Sequence, residues 1–115
     1  MLLNLSNHPS QCWPQNQTAL AIDKYGEIQD LPFPQIDPEL SGYDVDKIVE
    51  EYEIKIRKIN PTAVHIMGEL TFTHRLVNQL KVTGLNCIAS TTHRKVTEQN
   101  GLKTSAFEFV QFRDY

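Results

Sequence analysis

Short apolar runs take turns with helix-period segments along most of this chain, and few architectures accept that rhythm. MLLNL (Met1–Leu5), EIQDLP (Glu27–Pro32), AVHIMG (Ala63–Gly68) and LNCIAS (Leu85–Ser90) read as strands. Trp13–Lys24, Tyr43–Asn60 and Thr71–Thr83 read as helices between them. Strands that alternate with helices predict a mostly parallel sheet with helices on both faces.

The second helix carries the strongest signal. Val45, Ile48, Val49, Tyr52, Ile56 and Ile59 recur at three- and four-residue spacing, with Glu50, Glu51, Glu53, Lys55, Arg57 and Lys58 on the outer face. Acid early and base late suits the helix dipole, so this charge run reads as a solvated face. Ser10 is placed to cap the first helix, and Pro14 is acceptable in its first turn. Pro32, Pro34 and Pro38 make Phe33–Gly42 a loop. Near the end, Asn100-Gly101 is a hairpin turn signal between two segments of strand character. The expectation is therefore one α/β domain spanning 1–115. It is a small Rossmann-like or flavodoxin-like fold in the order βαβαβαβ, followed by a C-terminal antiparallel β-hairpin.

Composition narrows the partners. A net charge of −3 over 115 residues offers no basic field for a long nucleic acid, although a few local donors still suit a small anionic ligand. Cys12 and Cys87 lie far apart and outside any CxxC, so both read as small buried hydrophobes in a reducing, cytoplasmic compartment. No stretch reads as a signal peptide or approaches transmembrane length, so no membrane partner is expected.

In parallel sheets, ligands bind beyond the carboxyl ends of the strands. Polar clusters fall at those ends here: Ser6, Asn7, His8 and Ser10 after the first strand, Gly68, Glu69, Thr71 and Thr73 after the third, and Ser90, Thr91, Thr92, His93 and Arg94 after the fourth. Hydroxyls, helix N-termini and Arg94 suit phosphate, and Gly68 lets backbone approach a ligand. Serine and threonine are also ordinary caps at such ends. His8 carries an imidazole and is a candidate acid–base group, or it bonds within its own turn. Glu69 is a candidate base, or a favourable acid at a helix start. His65 reads as a satisfied core or surface histidine and His74 as solvated. Trp13 reads as a core cap that is also able to stack on a base.

Standard phosphate loops (G-x-G-x-x-G, G-x-x-x-x-G-K-[ST]) and the G-x-S-x-G elbow are absent. No metal-binding spacing is present, so neither metal nor cofactor is expected.

LLNLSNHPS, DLPFPQIDP, HIMGELTFT and STTHR together resemble small single-domain proteins related to the CRISPR-associated Rossmann fold. The resemblance spans most of the chain through short motifs. It implies a homodimer that binds a cyclic oligoadenylate across its two-fold axis, and some stand-alone members are metal-independent ring nucleases. By position, the site would take Ser6, Asn7, His8 and Ser10 from the first loop, Gly68, Glu69 and Thr71 from the third, and Thr91 and Arg94 from STTHR. The resemblance makes His8 and Glu69 the catalytic candidates for attack by the ligand 2′-hydroxyl on its phosphate. No clear lysine follows the third strand, which is a departure from better-known members. An expected lone domain points toward degrading or sequestering the ligand.

A small phosphatase or other hydrolase would need a nucleophile motif that is missing, and neither cysteine lies in a phosphate-loop context. Two other readings differ in class. One is a binding module that uses the same pocket without turnover. The other is an interaction protein: in AFEFVQFRDY the apolar residues switch face near Val110, which fits either a dimer surface that includes Phe112 or a β-bulge.

Overall fold

Leu2, Leu3 and Leu5 are all fully buried, although neighbours in a strand point to opposite faces. Their strand is therefore covered on both sides, as a central parallel strand must be. The computed structural model describes residues 1–115. Its sheet has the order β2-β1-β3-β4-β5. The strands are β1 (Leu2–Ser6), β2 (Ile28–Asp30), β3 (Ala63–Met67), β4 (Asn86–Gln99) and β5 (Leu102–Asp114). The first four run parallel and β5 is antiparallel to β4. The mostly parallel α/β sheet of the sequence reading is present.

The helices are α1 (Gln15–Tyr25), α2 (Gly42–Ile59) and α3 (Leu70–Val82). One face of the sheet packs on α2 and α3 through Leu3, Leu5, Val64, Ile66, Val45, Ile56, Phe72 and Leu76. The other packs on α1 through Leu2, Ala63, Ile88, Ala21, Trp13, Phe109 and Phe112. Each fully buried apolar side chain contributes about 1.5–3 kcal/mol, so both layers hold the sheet.

Local chemistry sets the helix ends. Ser41 and Asp44 form a reciprocal capping box at the start of α2, and Asn60 closes it in the left-handed region at φ 54°. The residue expected to cap α1, Ser10, instead begins a separate 3₁₀ turn (Ser10–Cys12), and Pro14 occupies the cap position.

The larger departure concerns β4. The expected fourth strand and the first hairpin strand are one continuous element, so STTHR lies within β4 and the sheet has five strands. Beyond Ile88 this strand leaves the parallel sheet and continues with β5 as a two-stranded arm, turning at Asn100 (φ 53°) and Gly101 (φ 79°). Thr91 pairs with Gln111 but Thr92 pairs with Phe109, so Val110 is the extra residue of a bulge. The bulge lets both Phe109 and Phe112 face the core, which accounts for the switch of apolar face near Val110. Phe112 is only 7% exposed and packs on Trp13 and Tyr25, so it belongs to the core, while Phe107 and Val110 remain exposed on the arm.

Candidate functional site

Chain connections leave β1 toward β2 on one side and reach β3 on the other, so the strand order switches between β1 and β3. Ligands bind at such a crevice in parallel sheets. Beyond the carboxyl ends of β1 and β3, beside the middle of β4, lies a cavity of about 380 Å³. Buried Ser6 and His65 and half-buried Ser90 form its floor, exposed His8, Cys12 and Thr92 its rim, and Trp13, Phe107 and Phe109 its walls. No carboxylate lines it.

A chain of polar side chains crosses the floor from strand to strand. Asn4 Nδ2 donates to Asp30 Oδ1 and to the His8 carbonyl, both at 2.8 Å. Both acceptors are pure acceptors, so the amide orientation is fixed and Asn4 Oδ1 faces the other way. That oxygen accepts from Ser6 Oγ at 2.8 Å and meets His65 Nδ1 at 2.9 Å. His65 Nδ1 therefore carries the proton, and Nε2 of the neutral ring is an acceptor. Ser90 Oγ, 2.5 Å away, donates to it. Gln17 Nε2 in turn donates to Ser90 Oγ at 3.3 Å. His65 is only 2% exposed. Burial, followed by repulsion from His8, lowers its pKa to about 4, so the ring is neutral at pH 7.

The same network explains the polar turn after β1. The His8 carbonyl collects donors from Asn4 and the Trp13 indole, and Ser6 Oγ, its proton given to Asn4, accepts from the His8 amide. Asp30 holds Ser10 through its amide and hydroxyl. These side chains fix the loop so that His8 and Trp13 frame the cavity.

The residues singled out from the sequence divide between several places. Ser6 and His8 line the cavity. Arg94 lies one step beyond Thr92 on the same face of β4, opposite Phe107 and bonded to Ser105. Thr91 takes the opposite face and donates to the Gln111 carbonyl. Ser10 is occupied by Asp30.

The loop after β3 serves a different groove, an open space of about 810 Å³ lined by Asn7, Phe33–Pro38 and Glu69. Glu69 caps α3 there. Its carboxylate accepts from the Thr71 and Phe72 amides and from the Thr71 hydroxyl. Those bonds, led by the Thr71 hydroxyl, hold its carboxyl below the usual range. The amides that would have met a phosphate at this helix start are thus already paired. The face Gly68 leaves open is covered by the Phe33 ring, whose Cζ occupies the space a Cβ would need. Asp37 and Glu69 make this groove acidic, so an anion is better received in the cavity.

Sequence reasoning passed over Asn4, His65, Gln17 and Ser90 as a unit. The available signal was a polar residue inside each of two apolar strands, Asn4 in LLNLS and His65 in AVHIM. These are register partners. Of the cysteines, Cys87 is buried, its thiol pushed up to about 11, whereas Cys12 is exposed at the cavity rim, contrary to expectation.

No group of three or more His, Cys, Asp or Glu side chains is placed to hold a metal ion. No helix is long and apolar enough to cross a membrane.

Fold and cavity together define a small Rossmann-like α/β domain with a ligand-sized pocket at the switch point of its sheet. By sequence the chain belongs to the family described as "Uncharacterized protein MJ1673 family", whose model matches residues 1–113. No significant match was found among curated proteins or solved structures.

Proposed function

We propose that the protein binds a small nucleotide in the cavity between β1, β3 and the β4–β5 arm, the ligand being a cyclic oligoadenylate held by a homodimer. One observation carries the reading: an aromatic wall (Trp13, Phe107, Phe109) faces a carboxylate-free polar floor at the topological switch point. Aromatic faces stack bases, while the hydroxyls, His8 and the nearby Arg94 suit phosphate. The cavity, about 380 Å³, is at the small end of ligand pockets, which run about 300–1,000 Å³. It suits one nucleotide unit, so a ring of several would be shared between two copies.

Ring opening through the ligand 2′-hydroxyl needs a proton acceptor at the phosphate. His8 is the candidate at the rim. Glu69, the other candidate, is committed to capping α3, and this favours the second reading, retention of the ligand without turnover.

The test is incubation with cyclic tetra- and hexa-adenylate in EDTA, with products and retained ligand resolved by chromatography. Linear products lost in His8→Ala support the enzyme. Intact ligand eluting with the protein, and released by Arg94→Glu, supports the binding module. Neither binding nor cleavage overturns the ligand assignment.

A further inference from the structure

The Asn4–His65–Ser90 series has a consequence apart from nucleotide binding. A hydroxyl on a cavity floor donates to an imidazole whose other nitrogen is pinned by a fixed side-chain oxygen. This is the arrangement of an activated nucleophile: nucleophile to base, base to orienting group. Asn4 cannot reverse its amide without placing NH₂ against His65 Nδ1–H and oxygen against both Asp30 and the His8 carbonyl. The base is thus held in the one tautomer that can accept the Ser90 proton. Gln17 Nε2 donates to Ser90 Oγ at 3.3 Å and so helps to hold the hydroxyl in place. Apolar walls from Trp13, Pro14, Met67, Phe107 and Phe109 suit a compact apolar acyl group.

We propose that Ser90 is a covalent nucleophile, with His65 as its base and Asn4 as the positioning residue, and that the cavity accepts small carboxylic esters. Ser90 Oγ forms a bond to the ester carbonyl carbon as its proton passes to His65 Nε2. The bond from that carbon to the leaving oxygen then breaks, and the leaving oxygen takes the proton. Water, deprotonated by His65, attacks the acyl-Ser90 carbon, and Ser90 Oγ departs with the proton as the free carboxylic acid forms. A neutral His65 keeps Nε2 available throughout the neutral range, and its low basicity makes the acylation slow.

The experiment uses a fluorophosphonate probe and p-nitrophenyl butyrate on the whole protein. Peptide mass spectrometry should place one fluorophosphonate adduct on Ser90, with fluoride lost. Labelling should disappear in Ser90→Ala, persist in Ser105→Ala on the exposed arm, and slow at least tenfold in His65→Gln. Nitrophenolate release should follow the same order. Asn4→Ala should slow labelling while ¹⁵N shifts show His65 divided between tautomers, a signature that lost stability alone does not produce. Should His65→Gln fail to fold, Ser90→Ala decides the matter, since a half-buried strand serine tolerates alanine. Labelling of folded wild type no faster at Ser90 than at Ser105, or unchanged in folded His65→Gln, overturns the proposal. Neither probe is a nucleotide, so failure here leaves the cyclic oligoadenylate reading standing, and the converse also holds.

Discussion

Trp13 stands edge-on to His65, with ring centroids 5.1 Å apart at an interplanar angle of 68°. Trp13 is the only tryptophan of the chain, and its indole N–H is fixed on the His8 carbonyl. Its emission therefore reports on the protonation of His65 beside it. Acid titration should quench Trp13 with a midpoint near pH 4, well below the ordinary histidine value of 6.5. His65→Gln should remove that step. A midpoint near 6.5 in the folded protein would show that burial does not hold the ring neutral.

The same group links stability to pH. The unfolded chain protonates His65 near 6.5, the folded one only near 4. Stability from the neutral ring is thus fully present above about pH 6.5 and is lost as pH falls toward 4, by about 3 kcal/mol at about 1.4 kcal/mol per pH unit. Urea unfolding at pH 7, 6, 5 and 4 should show a falling midpoint, and the slope should flatten in His65→Gln.

Asn4 satisfies four partners at once: Asp30, the His8 carbonyl, Ser6 and His65. Asn4→Ala leaves several of these unpaired in a buried site, at about 1–3 kcal/mol for each group stranded. Thermal unfolding should drop accordingly. Amide hydrogen exchange should accelerate from His8 to Trp13, where the loop loses its anchor, and change little in α3.

Gly68 and Phe33 are paired by shape. A Cβ at position 68 would clash with Phe33 Cζ, and the Phe33 ring leans on Phe72 with centroids 5.2 Å apart. Gly68→Ala should destabilise by about 1–3 kcal/mol through overpacking. The double variant with Phe33→Ala should lose less than the sum of the two single changes, as a double-mutant cycle would show.

Glu69 caps α3 with bonds to two backbone amides. Glu69→Ala should cost about 1 kcal/mol, the usual value of a lost cap. Occupation of the cavity should be unchanged, since Glu69 lines the other groove. A loss of ligand affinity equal to that of His8→Ala would return Glu69 to the site.

Much of this fold is legible from residue order. The three-and-four spacing from Val45 to Ile59 gives α2 to within a residue, because a long amphipathic helix repeats its own signal. The sheet class follows from alternation. Continuity of β4 through STTHR is less legible, because threonine suits a strand as well as a turn and no glycine or proline marks the junction. The cavity is legible only in part. Ser6 and His8 sit beside the strand end where ligands are expected, but Asn4, His65 and Ser90 lie on separate strands. Their union depends on register, which no local pattern encodes. Glu69 satisfied every rule for a ligand loop and every rule for a cap, and spacing alone does not choose between them.

The β4–β5 arm also bears on how quickly the molecule matures. Its rungs close around Asn100-Gly101 and join residues near in sequence, whereas β1 must find β3 across some sixty residues. Hairpins zip in about 1–10 μs, and long-range parallel pairing is far slower. The arm can therefore exist as an isolated ribbon early in refolding, holding Phe109 and Phe112 exposed until the parallel strands arrive. The cavity needs one wall from each, so it cannot close until the ribbon and the parallel strands have met.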